Sequence, residues 1–245
     1  MPRYFLEVAY KGTNYSGFQV QGNANTIQAE IEKGFKILHR KEISLTGSSR
    51  TDAGVHALQN YFHFDFEQSI HPQFVYKMNA ILPEDIVIKE RYMMPAEAHS
   101  RFDAISREYI YRIHQYKNPF LKDASYFYPY KLDLEIMNHA AAMIIRETNF
   151  FAFSKTNTQV KNFNCSVKLS QWMIQEEELV YKIEANRFLR GMVRLLTASL
   201  LKLGRHTLTL DQFQKLFDGK NKSGYSIPAH GLFLKKVNYP QNYFP

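Results

Sequence analysis

The sequence has 245 residues, 45% of them hydrophobic and 15% aromatic, a globular composition that excludes extended disorder. A formal charge of +8 suits a polyanionic partner such as nucleic acid, although an excess kept only for solubility reads the same way. One cysteine, Cys165, excludes an intrachain disulfide, and neither a secretory leader nor an apolar run near the ~18 residues of a membrane span is legible, so a soluble cytoplasmic protein with a buried, inert thiol is expected.

In chain order, Tyr4–Tyr10 reads as an opening strand. Thr26 is placed to cap a helix on which Ile27, Ile31 and Leu38 recur at helical spacing up to about His39. Ile43–Thr46 reads as a short strand, followed by a polar loop from Gly47 to Gly54. Beyond it Leu58, Phe62, Phe64 and Phe66 share one face of a predicted strand by period-two alternation, while Tyr61, His63 and Asp65 share the other. A helix over Gln73–Ile81 and a strand over Ile86–Tyr92 follow.

Glu108–His114 reads as a strand and Leu132–Arg146 as a helix. Val167–Ile174 and Leu179–Ala185 form a predicted hairpin, its turn marked by Glu176–Glu178 and read as solvated. A helix is predicted from Asn186 to about Leu203, stopped by Gly204, with Arg187, Arg190 and Arg194 on one stripe and Leu189, Met192, Leu196, Leu200 and Leu203 on or near the opposite face. A short helix near Asp211–Asp218 and a strand near Leu232–Val237 close the chain. Helices and strands mix without strict alternation, and hairpins occur. The expectation is an α+β fold with a mixed, mainly antiparallel sheet and helices packed on it, in two similar halves, residues 1–103 and 104–245.

Dinucleotide and P-loop fingerprints are missing, and Gly12–Gly17 lacks a phosphate-reaching lysine. The hydrolase elbow Gly-x-Ser-x-Gly is missing too. One cysteine and nine scattered histidines give no zinc spacing, and His56 and His63 are poorly placed as ligands. The informative stretch is Ser48-Ser-Arg-Thr-Asp-Ala-Gly-Val-His-Ala57, where Arg50 and Asp52 flank a threonine and Gly54 permits a tight turn. Taken alone, Arg-Thr-Asp-x-Gly is equally a plain turn in which Asp52 bonds its own backbone.

The longer pattern resembles the catalytic loop of the TruA family of tRNA pseudouridine synthases. Tyr10-Lys-Gly-Thr-Asn-Tyr-Ser-Gly-Phe-Gln19, Asn79-Ala-Ile-Leu-Pro-Glu-Asp-Ile86 and His99-Ser-Arg-Phe-Asp-Ala-Ile-Ser-Arg-Glu-Tyr-Ile-Tyr111 are similar to further family blocks. So are Asn149–Ser154, Ala185–Arg194 and Pro228–Leu234, and the ordered blocks span nearly the whole chain. The resemblance implies isomerisation of uridine to pseudouridine in the anticodon arm of tRNA, at positions 38 to 40. It also implies no metal or cofactor, a homodimer, and an active-site cleft between the two halves.

The same resemblance assigns residues. Asp52 is the catalytic carboxylate, acting as nucleophile on either base or sugar. Arg194 is the arginine beside it, which would keep the carboxylate ionised. Tyr109 packs against a uracil flipped out of its stem. Arg50 fills the vacated space or contacts phosphate, and Arg101 is a phosphate contact. Five positions depart from the family pattern: Lys11, Phe18, Ser49, Leu195 and Ala198. They leave open the same chemistry on another RNA or another uridine, while a non-catalytic RNA-binding protein is the reading from a different class.

Overall fold

The computed structural model describes residues 1–156 and 160–245, which form two compact units, Met1–Ile105 with Leu234–Pro245, and Ser106–Phe233. The sequence reading keeps the C-terminal stretch with the second half. In the first unit it is held by Ile105 N–H donating to the Asn238 carbonyl at 2.8 Å and Val237 N–H donating to Gln59 Oε1 at 3.2 Å. Phe244 also stacks on Tyr61 at 4.9 Å.

The first unit contains β1 (Arg3–Tyr10), α1 (Ile27–His39), β2 (Thr46–Gly47), β3 (His56–Asp65), α2 (Phe74–Ile81) and β4 (Ile86–Met94). β1 lies between β4 and β3 and is antiparallel to both. Thr26 caps α1 by accepting from Ala29 N–H at 3.3 Å, and Arg40, in the left-handed region at φ 55°, ends it. Ile27, Ile31 and Phe35 form the buried stripe of α1. Phe35 sits at the centre of a ring cluster with Phe64 at 5.3 Å, Phe66 at 5.0 Å and Phe74 at 6.0 Å.

One expectation fails here for a physical reason. The strand predicted over Ile43–Thr46 shrinks to Thr46–Gly47 because α1 captures its backbone. Leu45 N–H donates to Glu32 Oε1 at 2.9 Å, and the Leu45 carbonyl accepts from Gln28 Nε2 at 3.0 Å. On β3, Leu58 is 44% exposed, while Tyr61 and His63 on the opposite face are buried. Phe5, Tyr239 and Phe244 cover that second face.

The second unit contains β5 (Ser106–His114), β6 (Tyr126–Phe127), α3 (Leu134–Ile144), β7 (Val167–Gln175), β8 (Glu178–Ala185), α4 (Met192–Gly204) and α5 (Leu210–Gln214). The closing strand β9 (Leu232–Asn238) starts in this unit and runs back into the first. β8 lies between β5 and β7, antiparallel to both, and β6 joins β5 in parallel. Asp133 caps α3, and Asn138 fastens that helix to β7 by a reciprocal pair of bonds with the Trp172 backbone. The architecture is thus α+β, with a mixed, mostly antiparallel sheet in which β5 and β6 run parallel, and helices packed on the sheet.

The helix predicted from Asn186 begins only at Met192. Gly191 turns the chain at φ 75°, Met192 N–H closes a tight turn on the Leu189 carbonyl, and Arg190 is pinned through its carbonyl by Lys155 N–H. Arg187 and Arg190 therefore precede the helix, and the arginine stripe does not exist. Glu178 is a second correction. Instead of lying in a solvated turn it opens β8, is buried, and pairs with Arg112, whose Nε reaches it at 3.0 Å. Arg112→Leu would strand that carboxylate. Because Arg112 is itself about a third exposed, the expected loss is ~2–3 kcal/mol rather than the full cost of a buried pair. Urea denaturation checks this, and a loss below ~0.5 kcal/mol would mean that water reaches Glu178.

Candidate active site

The Asp52 loop joins β2 to β3, and the segment that follows β1 clamps it from behind. Phe18 N–H donates to the Thr51 carbonyl at 3.1 Å, and Gly54 N–H donates to the Tyr15 carbonyl at 3.4 Å. Gly12 N–H donates to His56 Nδ1 at 3.0 Å, so any proton on that buried ring sits on Nε2. Two glycines allow the approach. A Cβ on Gly12 would fall 2.0 Å from the Val55 carbonyl oxygen, and one on Gly17 would fall 2.9 Å from that of Thr51. Asp52 itself is half-buried, and Arg50 beside it is exposed.

The clamp is anchored in turn by Asp85. Its carboxylate accepts from the Tyr15 hydroxyl at 2.5 Å and its carbonyl from Lys11 N–H at 2.9 Å. Burial, followed by the Asp85 carboxylate, pushes the Tyr15 phenol well above its ordinary value. The sequence reading gave Tyr10, Tyr15, His56, Asn60 and Asp85 no role. Their one signal is membership of the quoted blocks, and Asn60 lacks even that.

Arg101 lies in the same unit, exposed, on a turn between His99 and Asp103. His99 Nδ1 accepts from Arg101 N–H at 3.1 Å, and Asp103 Oδ2 accepts from His99 N–H at 2.8 Å and from the Tyr243 hydroxyl at 2.6 Å. Ser100 packs against His63, with Oγ 2.8 Å from Nδ1. Burial, followed by neighbouring His99, lowers His63 to about 4.

Tyr109 and Arg194 belong to the second unit. Tyr109 stands on β5, buried, edge-on to Phe188 at 5.0 Å. Arg194 lies in the first turn of α4, half-buried, and its Nε donates to the Ile227 carbonyl at 2.7 Å. Tyr111, two residues from Tyr109 on the same strand, donates to the Pro228 carbonyl at 2.8 Å. The strand, the helix and the loop at 226–231 therefore form one bonded set. Asp52, Arg50 and Arg101 lie in one unit, and Tyr109 and Arg194 in the other.

Of the departures from the family pattern, four are packing positions. Phe18 packs on Phe62 at 4.7 Å, and Leu195, Ala198 and Ser49 are buried. Lys11 is exposed. Cys165 is buried, its thiol pushed up to about 11 by desolvation. Among the described residues no cluster of His, Cys, Asp or Glu is arranged to hold a metal ion, and no helix is long and apolar enough to cross a membrane.

Loops of this kind, each carrying ionisable side chains on a rigid sheet, are the arrangement of an enzyme rather than of a packing domain. The sequence model described as "tRNA pseudouridine synthase" matches residues 140–240. The tRNA pseudouridine synthase A of Parabacteroides distasonis is 41% identical over 100% of this chain and 99% of that protein. That of Porphyromonas gingivalis is 39% identical over 100% of both. That of a Staphylococcus aureus strain (JH1) is 35% identical over 98% of this chain and 92% of its own length. The chain belongs to the tRNA pseudouridine synthase A family and is thus an isomerase of the pseudouridine synthase class.

The His63–Ser100 contact carries a pH consequence. His63 falls from 6.5 to about 4 on folding, so between those values the unfolded chain binds a proton that the native chain refuses. Stability is complete above about pH 6.5 and is lost as pH falls towards 4. His63→Gln should flatten that slope in thermal melts taken across the window, whereas an unchanged slope would assign it to the other histidines.

Proposed function

We propose that this chain converts uridine to pseudouridine in the anticodon stem-loop of tRNA, at positions 38 to 40, with Asp52 as the catalytic carboxylate. The observation that carries the reading is full-length identity of 41% to a tRNA pseudouridine synthase A, with the Arg50-Thr-Asp52 loop intact and tightly clamped. The basic charge of +8 suits the polyanion.

The reaction is balanced within the nucleotide. The N1–C1′ bond breaks, a C5–C1′ bond forms, C5 gives up its proton and N1 gains one. A carboxylate can act as the covalent partner that retains one fragment while the other turns. An arginine beside that carboxylate holds it ionised in a drying site, and Arg194 is the side chain for this task. A stacked uracil is out of reach, so it must leave the stem, with Tyr109 packing on the extruded ring. Arg50 fills the space behind it or meets a phosphate, and Arg101 meets a phosphate. Selection then rests on tRNA shape, because A-form RNA hides its base edges in a deep groove. The enzyme works in the cytoplasm as a homodimer, and light scattering giving twice the 28.8 kDa chain mass supports that assembly, whereas one chain mass removes it.

Carbodiimide labelling with primer extension should show stops at positions 38 to 40 of tRNA treated with the protein. Asp52→Ala should lower their rate of appearance by about 10³-fold or more. Stops elsewhere would move the target, and undiminished stops with the variant would refute the role of Asp52. Arg50→Ala and Arg101→Ala should each reduce the slope of log affinity against log salt by ~0.7–0.9 if they contact phosphate.

A further inference from the structure

A buried polar network lies behind the Asp52 loop. Asn60, on β3, is fully buried, and its side-chain amide has two N–H donors. One goes to the Ser49 carbonyl at 3.0 Å and the other to the Tyr10 hydroxyl at 3.2 Å. Its Oδ1 accepts from Tyr61 N–H at 2.9 Å, which leaves the amide one orientation. The Tyr10 hydroxyl also lies 2.8 Å from Thr51 Oγ1, in a bond where either oxygen can donate. Burial pushes the Tyr10 phenol up to about 12, so it keeps its proton across the working pH range.

Both anchors stand on strands paired with each other, Tyr10 at the end of β1 and Asn60 within β3. They grip the loop at Ser49 and Thr51, on either side of Arg50 and immediately before Asp52. A satisfied buried network of this kind specifies one conformation among those an apolar contact would tolerate. The feature it specifies here is the course of the chain into Asp52.

We propose that Tyr10 and Asn60 are positioning residues for the isomerisation, fixing Ser49–Thr51 and through them the placement of the Asp52 carboxylate. The inference rests on Asp52 being the catalytic carboxylate. Neither side chain touches the substrate in this scheme, and both act through Thr51 and the loop backbone.

The test compares Tyr10→Phe, Thr51→Val, their double variant and Asp52→Ala by steady-state kinetics on tRNA, with a thermal melt of each. Tyr10→Phe keeps the ring and deletes only the hydroxyl. Expected is a fall in kcat of roughly 10- to 100-fold with KM within about threefold, at an assay temperature well below every melt. Thr51→Val should behave alike, and the double variant should be no worse than the more severe single one, because both remove the same bond. Wild-type kcat in folded Tyr10→Phe, or single losses that multiply in the double variant, would overturn the proposal. If Tyr10→Phe does not fold, Thr51→Val decides alone on the same kcat criterion. Turnover by Asp52→Ala would remove the reading beneath. An inactive Asp52→Ala with a wild-type Tyr10→Phe would remove only the positioning role.

Discussion

The first unit depends on the close approach of the chain at Gly12–Phe18 to the loop that carries Asp52. A loop between two strands cannot leave its peptide groups unpaired once it is covered, and here the covering segment supplies the partners. Phe18 N–H takes the Thr51 carbonyl, the Tyr15 carbonyl takes Gly54 N–H, and Gly12 N–H takes His56. The separation is set by backbone against backbone, and the space left at Gly12 and Gly17 is smaller than a methyl group. The loop and its clamp are one object, and Asp85 extends it to a third stretch through Tyr15 and Lys11.

The second unit repeats the logic with different parts. Tyr111 on β5 and Arg194 on α4 both end on carbonyls of the 227–228 loop, and Arg112 N–H donates to Gly231. Lys155 N–H donates to the Arg190 carbonyl, and Lys222 Nζ donates to the Phe151 and Ser154 carbonyls. Of the blocks that resemble the family, 99–111 bonds to 228–234 through Tyr111 and Pro228, and to 185–194 through Arg107 and the Asn186 carbonyl.

This also sets what the sequence could reveal. α1 was legible because its signals are local, Thr26 three residues before the N–H it caps and Ile27 and Ile31 one turn apart on its buried stripe, although Phe35 and not Leu38 continues that stripe. The residues that deceived are those governed by distant partners. Leu45 reads as a strand until Glu32 and Gln28 take its backbone. Glu178 reads as a turn until Arg112 reaches it. The arginine stripe failed through one residue, since a helical wheel drawn across Gly191 ignores a positive φ. Asp52 was nominated by resemblance alone, because a five-residue turn motif carries no chemistry of its own. The Asn60–Tyr10–Thr51 chain was illegible for a further reason, as each member is an ordinary core residue until the others are placed.

The arginines differ in exposure and in how their surroundings hold them. Arg112 is spent on buried Glu178 and cannot leave it for a phosphate without stranding that carboxylate. Arg50 and Arg101 are exposed on turns whose backbones are held by neighbours, Arg50 by the Asn60 bond to Ser49 and Arg101 by His99 and Asp103. A phosphate contact made from such a turn loses side-chain freedom but little backbone freedom, which favours affinity at a given charge.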